Sequence, residues 1–353
     1  MNWAVIMAGG VGERFWPMSR RTRPKQLLSI VGKRTMIQQT VARLRGVVAP
    51  SRMVVVTTAD QVPLVRKQLP KVKHIIAEPV GRNTAPCVGL AAAIIGKHDP
   101  SAVMVVVPAD SYIPDMAQYR RVVKDALEYA VRENVLITIG IQPASPHTGY
   151  GYVQLGESIT GRISRAKRFV EKPDRATAEQ FLASGEYLWN AGMFVWSVGA
   201  ISEALAKHQP DIAAGCRAIQ AAVGTPAFTR VLKREFAKMT KISIDYAVME
   251  KAGNVVVAKG DFAWDDVGDW AAIERHQVKD DAGNATRGEF VGVDAKNCVI
   301  VNDTGKIITA VGVSDLVIVQ TGDATLVCRK ADSQRVREVV KQLATQAKYR
   351  KLL

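Results

Sequence analysis

Three glycines, an arginine and a lysine follow the first apolar run of the chain. Trp3 to Ala8 is apolar, and Gly9, Gly10, Gly12, Arg14, Pro17, Pro24 and Lys25 come next, in the stretch AGGVGERFWPMSRRTRPKQ. A buried strand that breaks into glycines lets the backbone approach a ligand closely, with N–H groups converging on an anion. The cations just beyond it point to a polyphosphate. Two better-known phosphate loops do not fit. The dinucleotide fingerprint G-x-G-x-x-G finds Gly10 and Gly12 but meets Phe15 at its third glycine, and no stretch reads G-x-x-x-x-G-K-[ST]. A dehydrogenase also needs a ribose-binding acid after the second strand, and Val54 to Thr58 runs into Thr and Ala before Asp60.

The glycine turn resembles the G-G-x-G-x-R-…-P-K signature of the sugar-phosphate nucleotidyltransferases. The likeness runs nearly end to end. It takes in EPVGRNTAP (Glu78 to Pro86), PAD at Asp110, TGYGY (Thr148 to Tyr152), FVEKP (Phe169 to Pro173), WNAGMF (Trp189 to Phe194) and WDDVGDW (Trp264 to Trp270). In this order the motifs are most similar to the bacterial branch that joins GTP to mannose 1-phosphate.

The reaction so implied is transfer of GMP from GTP to α-D-mannose 1-phosphate, with release of pyrophosphate. Its nucleophile is a phosphate oxygen, anionic at pH 7, so no general base is needed. Alignment and charge neutralisation must do the catalysis. The resemblance implies that Ala8, Gly9, Gly10 and Gly12 wrap the triphosphate while Arg14 and Lys25 neutralise it, Lys25 at the α-phosphate. Asp110 ends the apolar run VMVVVPAD, and Asp266 lies in WDDVG. Two carboxylates beside nucleotide phosphates suit Mg²⁺, a hard ion that prefers oxygen ligands. The family pattern W-x-D-V-G puts the second metal aspartate at Asp266, with Asp261 and Asp265 as nearby rivals.

Arg82, Asn83 and Thr84 form a polar loop ahead of an expected helix. Its N-terminus can bind an anion or a base edge, or Asn83 or Thr84 can simply cap it. The segment GRNTAP resembles the guanylyl-specific branch, and Glu78 is expected to fix the loop or the base. For the sugar, the candidates are Gly149, Tyr150, Gly151, Glu171 and Asn190, with Lys172 on the sugar phosphate. Asn190 can donate and accept, and Glu171 can accept two hydroxyls. Trp189, Phe194 and Trp196 read as core or pocket wall, and His147 as a loop residue.

Composition sets the wider bounds. The net charge of +15 suits nucleic acid, an anionic membrane or anionic small substrates. The basic residues are spread among glycines and prolines (Arg14, Arg20, Arg21, Arg23, Lys25, Arg82, Lys172), which favours a phosphate pocket over a nucleic-acid stripe. The four cysteines show no C-x-x-C and no zinc spacing, so each reads as a small buried residue in a reducing compartment. No signal peptide and no membrane-length apolar run is visible, so a soluble cytoplasmic protein is expected, with no membrane or nucleic-acid partner.

Behind these residues stands a βαβ rhythm. Strands are expected at Met53 to Thr58, Lys73 to Ala77, Ala102 to Val107 and Val135 to Ile141, and helices at Thr35 to Leu44, Ala85 to Lys97 and Gln118 to Arg132. Ligands of such sheets sit at the carboxyl ends of the strands, where the glycine turn and Asp110 fall. Tyr150 to Leu155, Ile163 to Val170 and Met193 to Val198 suggest an added sugar-binding region, followed by a helical stretch over Val198 to Gly253 and a strand at Val255 to Ala258. After Gly283, short Val/Ile runs alternate with Gly, Asn and Asp: Glu289 to Asp294, Asn297 to Asn302, Ile307 to Val311 and Leu316 to Gln320. A terminal helix is expected over Gln334 to Tyr349. The fold class is therefore α/β: a Rossmann-like mixed, mainly parallel sheet flanked by helices in residues 1–280, with a small domain in 281–353. The resemblance makes that small domain a left-handed β-helix and favours a homodimer. Long bifunctional relatives carry a further isomerase domain, which this sequence does not reach.

Two rivals stay open from the residues. One is a nucleotidyltransferase for another NTP and hexose 1-phosphate, sharing the loop and both aspartates. The other is an inactive regulatory subunit of the same fold.

Overall fold

Strand β1 (Asn2–Met7) forms because Ala4, Val5 and Ile6 are withdrawn completely from solvent, and it stops where the glycines begin. The computed structural model describes residues 1–353. After β1 come α1 (Met36–Leu44), β2 (Met53–Thr58), α2 (Val62–Gln68), β3 (His74–Glu78), α3 (Thr84–His98) and β4 (Val103–Pro108). β1 to β4 are parallel, in the order β3-β2-β1-β4. Both faces of such strands are covered, which is why they read as continuous Val/Ile runs.

The sheet then becomes mixed. α4 (Met116–Arg132), whose first turn is capped by Asp115, leads to β5 (Leu136–Ile141) and the long antiparallel pair β6 (Gly151–Thr160) and β7 (Ile163–Val170). α5 (Arg175–Ser184) precedes β8 (Tyr187–Ser197), which runs antiparallel to β4, β5 and β6. α6 (Val198–His208), α7 (Pro210–Ala222) and α8 (Phe228–Phe236) follow, then a π-helical turn at Asp245–Met249 and β9 (Val255–Gly260). The nine strands lie in the order β3-β2-β1-β4-β8-β5-β9-β7-β6. One core, including Val5, Val54, Leu90, Met104, Leu188, Phe194, Trp196 and Phe236, holds them against the helices.

The remaining strands are short. β10 (Ala285–Arg287), β12 (Val299–Asn302) and β14 (Leu316–Gln320) stack in parallel rungs, as do β11 (Phe290–Val293) and β13 (Ile308–Val311). Asp294, Asn297 and Asp315 stand at positive φ between rungs, a backbone these two residue types tolerate better than others. β15 (Thr325–Arg329) pairs antiparallel to β14, and α9 (Val336–Ala344) follows. The architecture is β-helix-like. β10 and β15 were not among the expected strands. The terminal helix is shorter than its apolar spacing suggests, because the chain turns at Thr345 and resumes as a 3-10 turn whose Leu352 carbonyl accepts the Trp16 indole N–H at 2.9 Å.

Two compact units result. One is Met1–Gly9, Thr40–Ala109 and Ile113–Trp264, the other Gly10–Gln39, Asp110–Tyr112 and Asp265–Leu353. No helix is long and apolar enough to cross a membrane. All four cysteines are free. Cys87 and Cys298 are buried as expected, whereas Cys216 and Cys328 are only half-buried, the latter on β15 at the outer edge of its sheet.

Candidate active site

In the second unit the glycine turn is braced from its carbonyl side. Gln26 Nε2 donates to Gly10 O at 2.9 Å, Lys25 N to Val11 O at 2.9 Å and Ser19 Oγ to Gly12 O at 2.6 Å. Gly12 has φ 76°, and a Cβ there would run into the Lys25 side chain. Only glycine meets both demands. Lys25 is buried, and its ammonium lies 2.7 Å from Asp110 Oδ2 and 2.8 Å from the Asp266 main-chain oxygen. One cation therefore gathers the two aspartate-bearing segments named from the sequence. Arg14 is half-buried in the 3-10 turn Glu13–Phe15. Arg20 and Arg23 leave the expected phosphate cluster: Arg20 forks onto Asp323 and Arg23 pairs with Asp303 at 3.4 Å.

The neighbours of Asp266 are occupied otherwise. Asp265 accepts from Arg275 at 2.7 and 2.9 Å, lies 2.7 Å from His276 Nε2 and accepts from Val267 N at 2.7 Å. Burial pushes its carboxyl upward, but these partners outweigh that and hold it far below the usual carboxylate range. Val267, fully buried, is held at φ 46°, an uncommon setting for a β-branched residue. In the first unit Asp261 pairs with Arg162 at 3.0 Å and is also bound by Gln118.

The EPVGRNTAP segment connects β3 to α3 in the first unit. Glu78, at the end of β3, is 6% exposed, and its Oε1 has no hydrogen-bond partner. Burial raises its pKa to about 7, a Cys87 thiol hydrogen bond offsetting part of the rise. A Cβ on Gly9 would sit 3.1 Å from Glu78 Oε2. Asn83 caps α3, accepting from Thr84 N at 2.8 Å with φ 68°. Thr84 Oγ1 accepts from Ile244 N at 2.8 Å, Ala85 N donates to Ile242 O at 3.1 Å, and the Arg82 guanidinium donates to Ala237 O. The loop is thus anchored on the stretch after α8.

The sugar candidates also come together in the first unit. Tyr150 stacks on His147 at 3.8 Å between centroids and meets Trp189 and Trp264 edge-on at 5.1 and 5.0 Å. His147 is a structural member of this loop, its Nδ1 accepting from Gly149 N at 3.1 Å. Trp189, Trp196 and Trp264 all keep buried indole N–H groups without partners, and Trp196 stacks on Phe194 in the core. Glu171 and Lys172 pair with each other. Asn190 lies inside β8, not before it, because that strand begins at Tyr187. The sequence reading missed Asp245, whose Oδ1 accepts from Asn190 Nδ2 at 2.9 Å. Burial, then the nearby Glu171 charge, raises its carboxyl to about 6 against the opposing pull of Lys172 and Asn190. Its only local signal was an acid just after an apolar residue in a presumed helix.

A strand-to-glycine turn braced at its carbonyls, a buried lysine joining two aspartates and a buried carboxylate at a parallel strand end define a nucleotide-handling α/β protein. Residues 3–282 match the family model described as nucleotidyl transferase, and residues 288–343 match the MannoseP isomerase/GMP-like beta-helix domain. The mannose-1-phosphate guanylyltransferase of Klebsiella pneumoniae is 42% identical over 96% of this chain and 73% of its own length. The xanthan biosynthesis protein XanB of Xanthomonas campestris pv. campestris (strain B100) is 40% identical over 96% of this chain and 72% of its own. The crystal structure of mannose-1-phosphate geranyltransferase from Thermus thermophilus superimposes with a TM-score of 0.88, at 37% identity, over 97% of this chain and 99% of that one. The chain belongs to the nucleotidyl transferase family, among its mannose-1-phosphate guanylyltransferases.

Proposed function

We propose that the protein transfers GMP from GTP to α-D-mannose 1-phosphate in the cytoplasm, giving GDP-mannose and pyrophosphate. The observation that carries the choice of base is Glu78. A buried carboxylate with an unpartnered oxygen is costly unless a ligand supplies donors. Guanine carries two adjacent N–H donors on one edge, its N1–H and the N2 amino group, and so matches a carboxylate bidentately. Relatives named for mannose 1-phosphate support the sugar.

In this reading an oxygen of the sugar phosphate attacks the α-phosphorus of GTP. The new P–O bond forms as the bond to the bridging oxygen of the β-phosphate breaks, and pyrophosphate leaves with those electrons. Lys25 neutralises the α-phosphate so that two anions can meet, and Arg14 and the Ala8–Gly12 turn orient the triphosphate. Glu171 and Asn190 hold sugar hydroxyls within the Gly149–Gly151 loop, and Lys172 takes the sugar phosphate.

The donor set fits Mg²⁺. Asp110, 38% exposed, and Asp266 offer hard oxygen ligands on segments already gathered by one cation, while Asp261 pairs with Arg162 and Asp265 with Arg275. No group of three or more His, Cys, Asp or Glu gathers as a metal site, so water and phosphate oxygens would complete the shell. Bound there, the ion would withdraw charge from the reacting phosphate.

The test is pyrophosphate release with Mg²⁺ across four NTPs and a panel of hexose 1-phosphates. A maximum at GTP with mannose 1-phosphate is expected. A maximum at another base overturns the Glu78 argument, one at another sugar overturns the pocket assignment, and no release with any pair makes the chain an inactive member of its family.

A further inference from the structure

The hydrogen bonds of Asn190 can be counted one by one. Its amide oxygen has two lone pairs, and both are taken: Thr138 Oγ1 donates at 2.8 Å and Gly192 N at 3.1 Å. Its amide nitrogen has two protons, and one goes to Asp245 Oδ1 at 2.9 Å. A single N–H is left. The orientation is locked, because turning the amide over would set its NH₂ against the Gly192 N–H and its oxygen against the Asp245 carboxylate. Asn190 is therefore a donor only toward a ligand, not the donor and acceptor that its residue type allows.

What surrounds that N–H is acidic. A Cβ built on Gly151 would run into Glu171 Oε2 and come within 3.5 Å of Asn190 Nδ2, so both groups meet over the same bare backbone. Glu171 and Asp245 feel each other's charge, with Lys172 acting on Asp245 as the opposing cation. Asp245 itself is presented by the π-helical turn Asp245–Met249, an irregularity frequent at functional sites.

We propose that Asp245 is a positioning residue for the sugar: it locks Asn190 as a donor, so that Asn190 and the neighbouring carboxylates together require one hydroxyl that accepts from Asn190 and donates to a carboxylate. This rests on reading the pocket as the sugar-phosphate site. A deoxy position at that hydroxyl loses both bonds. A fluorine there keeps the acceptor alone. The selectivity is for a hydroxyl held between opposite partners, not for sugar shape in general.

The experiment compares wild type with Asp245→Asn and Asp245→Ala. Initial rates are taken with mannose 1-phosphate and its 2-, 3-, 4- and 6-deoxy analogues, and KM for GTP is measured beside KM for the sugar phosphate. Wild type should discriminate against one deoxy analogue by about 10- to 100-fold, the scale of hydrogen bonds to a charged group. Asp245→Asn should raise KM for mannose 1-phosphate by about tenfold, leave KM for GTP unchanged and shrink that one discrimination. The groups facing Asp245 are Glu171, Lys172 and Asn190, and Tyr246 acts on Lys172. Protonation of Asp245 near pH 6 should raise the sugar-phosphate KM of wild type in acid, and Asp245→Asn should lose that inflection. If Asp245→Asn weakens all analogues and GTP alike, the residue is merely structural and the proposal is overturned. Unchanged discrimination in a variant that melts as wild type overturns it too. Failure of wild type to use any hexose 1-phosphate overturns the functional reading first, before any variant is made.

Discussion

Replacing Lys25 by methionine separates chemistry from folding. The ammonium makes two charge-assisted bonds, 2.7 Å to Asp110 Oδ2 and 2.8 Å to Asp266 O, and stands 5.5 Å from the centre of the Phe15 ring. Methionine keeps the aliphatic stem beside Gly12 and Phe15, so little packing is lost. Asp110 is 38% exposed, and water can take over its oxygen. Folding should therefore lose only about 1–2 kcal/mol, the worth of a partly solvated pair of hydrogen bonds. In the proposed reaction the ammonium is the group set against the α-phosphate. Losing one preorganised contact to the reacting phosphate costs roughly 2.7–4 kcal/mol, or about two to three orders of magnitude in kcat. The assay is continuous pyrophosphate release at saturating GTP and mannose 1-phosphate, beside a thermal melt of each protein. A kcat within about threefold of wild type, in a variant that folds, would remove Lys25 from the transition state.

Inosine triphosphate offers N1–H without the N2 amino group, so kcat/KM for it should lie about 10- to 100-fold below that for GTP, and Glu78→Gln should narrow the gap; equal use of both nucleotides by wild type would exclude Glu78 as the base reader. Because burial raises the Glu78 carboxyl from 4.5 to about 7, its contribution to stability is complete below pH 4.5 and is lost as pH rises through 7. Melting temperatures of Glu78→Gln should therefore fall less than those of wild type across that window. Asp265→Asn should cost about 1–2 kcal/mol in chemical denaturation, since it removes the negative charge that faces His276 and the half-exposed Arg275. The lowered carboxyl makes that stabilisation present above pH 3.8 and lost as pH falls further. Asp266→Asn should need more Mg²⁺ than wild type, with Asp261→Asn affecting Mg²⁺ dependence less; the opposite order would move the metal ligand.

The parallel half of the sheet was legible because its strands are buried on both faces, which leaves uninterrupted Val/Ile runs between capped helices. β8 was under-read: Asn190 and Gly192 break its apolar run, yet pairing with β5 and β6 carries the strand back to Tyr187. The stretch from Val198 to Gly253 divides at Pro210, Gly224 and Ser243 into separate helices and a π-turn, which composition alone did not resolve. Motifs continuous in sequence brought Lys25, Asp110 and Asp266 into view. Asp245 was out of reach, because its partner Asn190 lies 55 residues away and no local pattern links them. Nor could any local pattern show that Asp261 pairs with Arg162 or that Asp265 meets Arg275 and His276. Arg20 and Arg23 were over-read for the same reason, since Asp323 and Asp303 are distant in sequence.

The stretch from Ala237 to Asp245 holds one more consequence. Its backbone accepts from Arg82, accepts from Ala85 and donates to Thr84, and it ends on the side chain that pins Asn190. The loop proposed to meet the base and the amide proposed to meet the sugar thus stand on a single footing. On that proposal, selectivity for one half of the product cannot drift freely from selectivity for the other. A substitution in this stretch that touches neither substrate would move both affinities at once, so divergence toward a new nucleotide sugar is easier through the side chains at its two ends than through the strut between them.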